Sequence, residues 1–178
     1  QFTPPAATTA PHDTRSQTRE FRREGQDWSV PPTEMLRSGK IYNPTPTAIP
    51  GGQVLKTLEL RAMYTSENPP LLINVLQGYS VRSIPHSVRL SGAGAGGSFD
   101  DATQEKLGAK LRILTAGEQG KPLVFYCLNA ECWLAYNAVL RAMKLGYTQV
   151  YWYRGGIHAW EASGAPLLSS EDDRWADN

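Results

Sequence analysis

The sequence predicts an α/β fold with a mostly parallel central sheet and helices on both faces, because strand patterns alternate with helix patterns. The apolar run Leu123–Tyr126 is typical of a short buried parallel strand. The apolar residues that follow Trp133 recur at helical spacing: Leu134, Ala138, Leu140, Ala142, Met143 and Leu145. A further apolar run, Val150–Tyr153, comes after that helix. A strand, a helix and a strand in this order favour parallel pairing through a crossover.

The first 50 residues form a proline-rich extension that is expected to be irregular, because its composition cannot bury a core of its own. Residues 31–34 predict a single helical turn within it. Two alternatives remain open: the extension wraps over its own domain, or it serves as an arm that binds a partner protein. In the first case it packs through its larger apolar side chains, Phe21, Trp28, Met35, Leu36 and Tyr42.

Between the extension and the glycine-rich stretch, the pattern predicts one helix and one buried strand. The helix begins at Thr57 and ends before Pro69. The strand covers residues 71–75, and residues 88–90 form a weaker one. Residues 91–98 contain four glycines but lack the Lys-Ser/Thr ending of a phosphate-binding loop. We therefore expect a flexible connector there.

A second helix is predicted from Asp101 to about Thr115, with Ser98 or Asp100 as its N-terminal cap. After Trp160, a short helix is expected to end at Gly164. Residues 169–178 read as an acidic tail.

Composition excludes several classes of function. The net charge of +1 gives no reason to expect a nucleic-acid partner, and no apolar run is long enough to span a bilayer. Three histidines and two cysteines without clustered carboxylates predict neither a metal nor another cofactor. The opening residues, with prolines at 4 and 5, read like a mature exported chain whose signal peptide has been removed. We therefore expect a periplasmic location, with the cytoplasm as the alternative.

Cys127 is the predicted reactive residue, because it stands where the buried strand passes into a helix. The unpaired amides and the partial positive charge at a helix start favour a thiolate over a thiol. Such a sulfur is a nucleophile. The residues that follow are expected to form its amide-lined loop: Leu128, Asn129, Ala130, Glu131, Cys132 and Trp133.

Cys132 is the only other cysteine, and three roles remain open for it. It resolves an oxidised or persulfidated Cys127 by forming a disulfide, it is a permanent disulfide partner, or it is a small buried residue. A disulfide requires that the loop curl until the two Cα atoms lie within about 7 Å.

The cysteine loop, together with Gly155-Gly156-Ile157-His158-Ala159-Trp160 and the upstream Pro70–Val75, resembles a rhodanese-like domain over residues 51–168. The resemblance implies a rhodanese-like α/β fold in which Cys127 accepts a sulfane sulfur as a persulfide and passes it on. It also implies a small sulfur-containing donor or acceptor as partner. The pattern Cys-x-x-x-x-Cys-Trp is further similar to exported rhodanese-like proteins found with PQQ-dependent (quinoprotein) alcohol oxidation.

The loop departs from that family in its charge. Many rhodanese-like loops carry Arg or Lys to bind thiosulfate, whereas this one has Glu131 and no cation, which argues against thiosulfate as the physiological donor. Arg154 and Gln77 follow neighbouring strands and are the candidate substrate-binding residues; the alternative for Arg154 is an ordinary surface arginine.

Two functions therefore remain open. The first is a sulfurtransferase or persulfide carrier that uses Cys127. The second is an exported redox or protein-binding accessory of a quinoprotein alcohol oxidation system, without thiosulfate sulfurtransferase activity. This second protein carries a disulfide-capable Cys127/Cys132 pair and meets a periplasmic partner through the extension.

Overall fold

The computed structural model describes residues 14–79 and 81–177. The first residues of the extension, 1–13, and the last residue of the tail lie outside the described residues. The helices are α1 (Thr14–Glu24), α2 (Thr57–Tyr64), α3 (Ala102–Thr115), α4 (Leu134–Lys144) and α5 (Gly156–Ala162). The strands are β1 (Gln53–Leu55), β2 (Leu71–Asn74), β3 (Val81–Ser83), β4 (Val88–Arg89), β5 (Leu123–Tyr126), β6 (Val150–Tyr153) and β7 (Leu168–Ser170).

The central sheet has five parallel strands in the order β1-β6-β5-β2-β4, which confirms the predicted α/β fold. β5 lies in the middle, and its Phe125 is in register with Ile73 of β2 and Trp152 of β6. The carboxyl ends of β2, β5 and β6 therefore meet at one edge of the sheet. Ligands of open parallel sheets bind at that edge.

Each face of the sheet has its own hydrophobic core, as the alternation along β5 requires. Leu123 and Phe125 point to the core under α3 and α4, whereas Val124 and Tyr126 point to the core under α2 and α5. All four side chains are fully buried, so β5 reads as a continuous apolar run in the sequence.

The cap of α3 differs from the predicted one. Asp101 is the N-cap, and its carboxylate accepts a hydrogen bond of 2.8 Å from the backbone N–H of Gln104. The predicted caps, Ser98 and Asp100, are wrong because they bond to each other at 2.6 Å. The helix therefore begins one residue later than expected, at Ala102.

The glycine-rich connector is fixed by the buried side chain of Arg141, so the prediction of a flexible segment is wrong. This guanidinium donates to the carbonyl oxygens of Ala95, Gly96 and Ser98 at 2.8–3.1 Å. It also donates to both carboxylate oxygens of Asp101 at 2.9 Å. Arg141 thus joins α4 to the connector and to the start of α3.

The extension and the tail are more regular than their composition suggested. Residues 14–24 form α1, which packs against α5, whereas the helical turn predicted at residues 31–34 is absent from the described structure. Leu36 packs on the core as expected, but Met35 and Tyr42 are exposed. In the tail, β7 pairs antiparallel with β3.

We expect Asp101→Asn to remove an acid-sensitive part of the stability. Hydrogen bonds from Arg141 lower the pKa of Asp101 from 3.8 to about 2. Because the folded-state pKa is depressed, the ionised carboxylate stabilises the fold above about pH 4, and this contribution disappears as the pH falls towards 2. The variant should lose roughly 1 to 2 kcal/mol at pH 7 and match the parent near pH 2.

The measurement is urea unfolding of both proteins across this pH range. Asp100→Asn is the matched control, because that side chain is exposed and does not contact Arg141. A constant difference between Asp101→Asn and the parent from pH 7 to pH 2 would contradict the prediction.

Candidate active site around Cys127

Cys127 follows β5 directly and lies at the carboxyl edge of the sheet, as predicted. It forms a disulfide with Cys132, and the two Cα atoms are 6.4 Å apart, within the range that disulfides adopt. Cys127 is 2% exposed and Cys132 is fully buried, both in the core under α4. The predicted nucleophile is therefore held as a disulfide sulfur and does not titrate.

The loop between the cysteines is closed by its own side chain at Asn129. The Oδ1 atom of Asn129 accepts a hydrogen bond of 2.8 Å from the backbone N–H of Glu131. Its Nδ2 atom lies 3.2 Å from Nδ1 of His158, which joins the loop to α5. The His158 side chain is half-buried.

The N-terminus of α5 supports the loop from below. The backbone N–H groups of Ile157 and His158 donate to the carbonyl oxygens of Cys127 and Leu128, both at 3.0 Å. Gly156 has a φ of +62°, and an added Cβ there would lie 2.4 Å from the Cys127 oxygen. Gly156 of the sequence motif is therefore required by this close approach of two backbones, whereas an added Cβ at Gly155 would lie 2.6 Å from the side chain of Ala159.

The segment between α1 and β1, residues 25–50, covers the other side of the loop; we call it the strap. The hydroxyl of Thr45 donates to the Ala130 carbonyl at 2.6 Å. The backbone N–H of Trp133 donates to the carbonyl oxygen of Ile41 at 2.9 Å, and its indole N–H donates to the carbonyl oxygen of Pro44 at 3.1 Å. The Trp133 side chain therefore anchors the strap over the cysteine loop.

The strap also binds the first turns of α4. The hydroxyl of Tyr136 donates to the carbonyl of Thr33 at 2.6 Å and accepts from its N–H at 2.8 Å. The side-chain amide of Asn137 bonds to both backbone groups of Arg37 at 2.9 Å. Tyr136 also packs on the sheet, edge-on to Trp152.

Arg154 is buried, so its interpretation as an ordinary surface arginine is wrong. Its guanidinium donates to the hydroxyl and the carbonyl of Thr45 at 3.0 and 2.9 Å. It also donates to the carbonyls of Glu24 and Gln26 at 3.0 and 2.7 Å, and lies over the ring of Trp28. Burial lowers its pKa to about 10, so the group remains charged at neutral pH. Here the charge binds the strap; a substrate-binding role stays a prediction.

The charge of Glu131 is also engaged by the N-terminal part of the chain, because its carboxylate forms an ion pair with Arg23 of α1. Gln77 lies in the loop after β2, at the same edge of the sheet, and its side chain is exposed. Its role in binding a substrate stays a prediction. The two residues that follow Gln77 are fixed by the buried Arg89, whose guanidinium donates to the carbonyl oxygens of Gly78 and Tyr79.

The sequence contained no signal for the contribution of Thr45, a threonine in a proline-rich stretch. Glu24 is a similar case: its carboxylate accepts from the N–H and the hydroxyl of Thr57 at 3.0 and 2.6 Å. That hydroxyl also bonds Tyr153 at 2.6 Å, and burial raises the pKa of this tyrosine. These contacts fix α1 and the strap at the carboxyl edge of the sheet.

Reduction of the disulfide is expected to lower the free energy of unfolding by about 2 kcal/mol, because the bond closes only a short loop of the unfolded chain. Urea unfolding with and without a phosphine reductant measures this loss. The double variant Cys127→Ala/Cys132→Ala is the control, since the reductant should not change its midpoint. Equal midpoints for the oxidised and the reduced parent would contradict the prediction.

The described part of the chain contains neither a metal-binding cluster nor a membrane-spanning helix. In ranges 14–79 and 81–177, no cluster of three His, Cys, Asp or Glu side chains could hold a metal ion. None of the helices described here has the length and apolarity needed to cross a bilayer.

The fold and the site together define a parallel α/β domain with a cysteine loop between its central strand and the following helix. Residues 59–163, more than half of the chain, match the family model of the rhodanese-like domain. The chain therefore belongs to the rhodanese-like family, which confirms the resemblance inferred from its motifs. No curated protein sequence matches the chain.

Solved structures with a similar fold include a thiosulfate sulfurtransferase from Pseudomonas aeruginosa, at 18% identity and a TM-score of 0.49 over 66% of this chain. The present chain spans only 20% of that protein. A Rhodanese_3-like domain from Anabaena matches at 18% identity and a TM-score of 0.39, over 56% of this chain and 98% of that one. The structure of an EanB variant in complex with hercynine matches at 17% identity and a TM-score of 0.47. The match covers 64% of this chain and 30% of that one.

Proposed function

We propose that this protein handles sulfane sulfur, and that Cys127 accepts the sulfur as a persulfide once the disulfide to Cys132 has been reduced. The observation that carries the proposal is the place of Cys127 within the family segment: it ends the central strand and opens the loop that leads into α4. The disulfide is then the oxidised resting form of the site.

The chemistry requires a thiolate at Cys127. A dithiol reductant first converts the disulfide into two thiols and is itself oxidised to a disulfide. The Cys127 thiolate then attacks the sulfane sulfur of a donor; a sulfur–sulfur bond forms at Cys127, and the rest of the donor leaves as an anion. The start of α4 favours the thiolate through its macrodipole.

The donor we propose is an organic persulfide rather than thiosulfate. Within the described residues, three arginines lie near the loop, and each is engaged. Arg23 pairs with Glu131, Arg154 binds the strap, and Arg37 lies over the Trp133 ring while it donates to backbone carbonyls of the strap. A dianion would compete with these contacts, whereas a donor with an organic thiol as leaving group has less charge to be matched.

Intact mass spectrometry tests the proposal. The reduced chain, freed of reductant, is mixed under argon with an organic persulfide or, in a parallel arm, with thiosulfate. We expect Cys132→Ser to gain the mass of one sulfur atom with the organic donor and less with thiosulfate. Cys127→Ser should gain none. Sulfur uptake that persists in Cys127→Ser, or that is absent from Cys132→Ser, would overturn the proposal.

A second candidate function is an exported redox or protein-binding accessory of a PQQ-linked alcohol oxidation system, in the periplasm. One observation favours it: the disulfide, because such bonds persist in oxidising compartments. Thiol counting on protein from its native compartment tests it. A disulfide that remains in every chain and resists the donor supports this candidate, and two free thiols argue against it.

A further inference from the structure

We propose that Cys132 is a second catalytic residue, which attacks the Cys127 persulfide and releases its outer sulfur as sulfide. The protein would then reduce sulfane sulfur by two electrons instead of passing it to an external acceptor. This inference rests on the proposed function, because it needs a persulfide at Cys127.

The first argument is proximity. The Cα atoms of Cys127 and Cys132 are 6.4 Å apart, and the loop between them already adopts the conformation in which the two sulfurs are bonded. The loop is held there by Asn129 from within and by the Ile157 and His158 amides of α5. A thiol fixed so close to its target reacts as if at very high concentration.

The second argument is access. Cys127 is 2% exposed and the strap lies over the loop, with Thr45 on the Ala130 carbonyl and Trp133 on the Pro44 carbonyl. A small donor has to reach Cys127 once in each cycle, and the dithiol reductant reaches the pair only later, after the disulfide has re-formed. A second, external acceptor would have to reach the same buried sulfur, whereas Cys132 is already there. The internal thiol is therefore the favoured acceptor.

The step balances without any further co-reactant. The thiolate of Cys132 attacks the Cys127 sulfur; the bond between the two cysteine sulfurs forms, and the bond from Cys127 to the outer sulfur breaks. The outer sulfur leaves as hydrosulfide with the electron pair of that bond. The cysteine pair is oxidised by two electrons, and the sulfane sulfur is reduced to sulfide. A dithiol reductant, which becomes a disulfide, restores the two thiols.

The product of the cycle is the disulfide that the structure contains. The same bond would also arise from oxidation of the pair by other means, so a discriminating measurement has to count sulfide. One hydrosulfide should be released for each disulfide that re-forms.

The experiment uses the full chain, reduced and freed of reductant under argon, and one equivalent of an organic persulfide. Sulfide above a protein-free blank is followed together with intact mass. We expect the parent to release one sulfide per chain while it returns to the disulfide mass. Cys132→Ser should keep the added sulfur and release at least roughly tenfold less sulfide. A donor-free sample should remain a dithiol.

The outcomes separate the two claims. If Cys132→Ser takes up sulfur but the parent holds it as a stable persulfide, this inference is overturned and the proposed function stands. If Cys132→Ser takes up no sulfur, the proposed function fails. The time course of the parent protein decides the inference even when Cys132→Ser does not fold, because it needs no variant. Disulfide formation without a matching release of sulfide overturns the inference. Equal amounts of disulfide and released sulfide support it.

Discussion

Replacing Arg154 with alanine is expected to lower the free energy of unfolding by about 3 kcal/mol and to detach the strap from the cysteine loop. The guanidinium is buried and donates to the carbonyls of Thr45, Glu24 and Gln26. Its removal leaves the fully buried carbonyl of Thr45 without this donor, and the carbonyls of Glu24 and Gln26 lose theirs as well. The hydroxyl of Thr45, which covers the Ala130 carbonyl, loses its support at the same time.

Two measurements check this prediction. Urea unfolding gives the loss of stability, and the rate at which a water-soluble phosphine reduces the disulfide reports the exposure of the loop. We expect that rate to rise by roughly tenfold, which corresponds to a local opening made about 1.4 kcal/mol easier. Arg154→Lys should fall between alanine and the parent, since one ammonium cannot reproduce the planar set of donors.

Arg82→Ala is the matched control. It removes the same charge, but its side chain is about half exposed and pairs with the exposed Glu161. We expect a change of less than about 1 kcal/mol and an unchanged reduction rate. If Arg154→Ala behaved like this control in both measurements, the guanidinium would not hold the strap.

Arg141→Ala is expected to cause the largest loss of stability, about 4 kcal/mol. Its fully buried guanidinium bonds to the carbonyls of Ala95, Gly96 and Ser98 and to the carboxylate of Asp101. Alanine leaves the carbonyls of Ala95 and Gly96 without this donor, removes the charged partner of Asp101 and opens a cavity beneath α4. The connector should then become sensitive to proteases, which cleave exposed glycine-rich segments.

The check combines urea unfolding with limited proteolysis mapped by mass spectrometry. Arg112→Ala is the control, because that arginine is exposed in the last turn of α3. We expect cleavage within residues 91–98 in Arg141→Ala and none there in the control. A loss below about 1 kcal/mol, with the connector intact, would show that Arg141 is not its anchor.

The parts of the fold that follow from short-range patterns were predicted well. The apolar run of β5 and the helical spacing of α4 placed Cys127 between a strand and a helix, where the structure has it. The Gly-Gly motif indicated the family. Errors arose where several adjacent residues could make the same contact. At the start of α3, for example, Asp101 is the N-cap and Asp100 is not.

The environment of the cysteine loop was much less predictable. Arg154 follows β6, so its place at the carboxyl edge was foreseen, but its partner Thr45 is 109 residues away in the sequence. Burial of a charged guanidinium leaves no periodic pattern, because it depends on acceptors supplied by another part of the chain. The helix α1 was missed for a related reason: its sequence is strongly charged, and its packing against α5 comes from tertiary contacts.

The sequence by itself determined the layered α/β fold, the position of Cys127 at the end of the central strand and the family of the domain, because these depend on residues close together in the chain. Only the tertiary structure decided that Cys127 and Cys132 are bonded, that the strap covers them and that Arg154 binds the strap. Those features depend on where a distant segment settles, since hydrogen bonds and burial are satisfied by proximity in space and not by order in sequence.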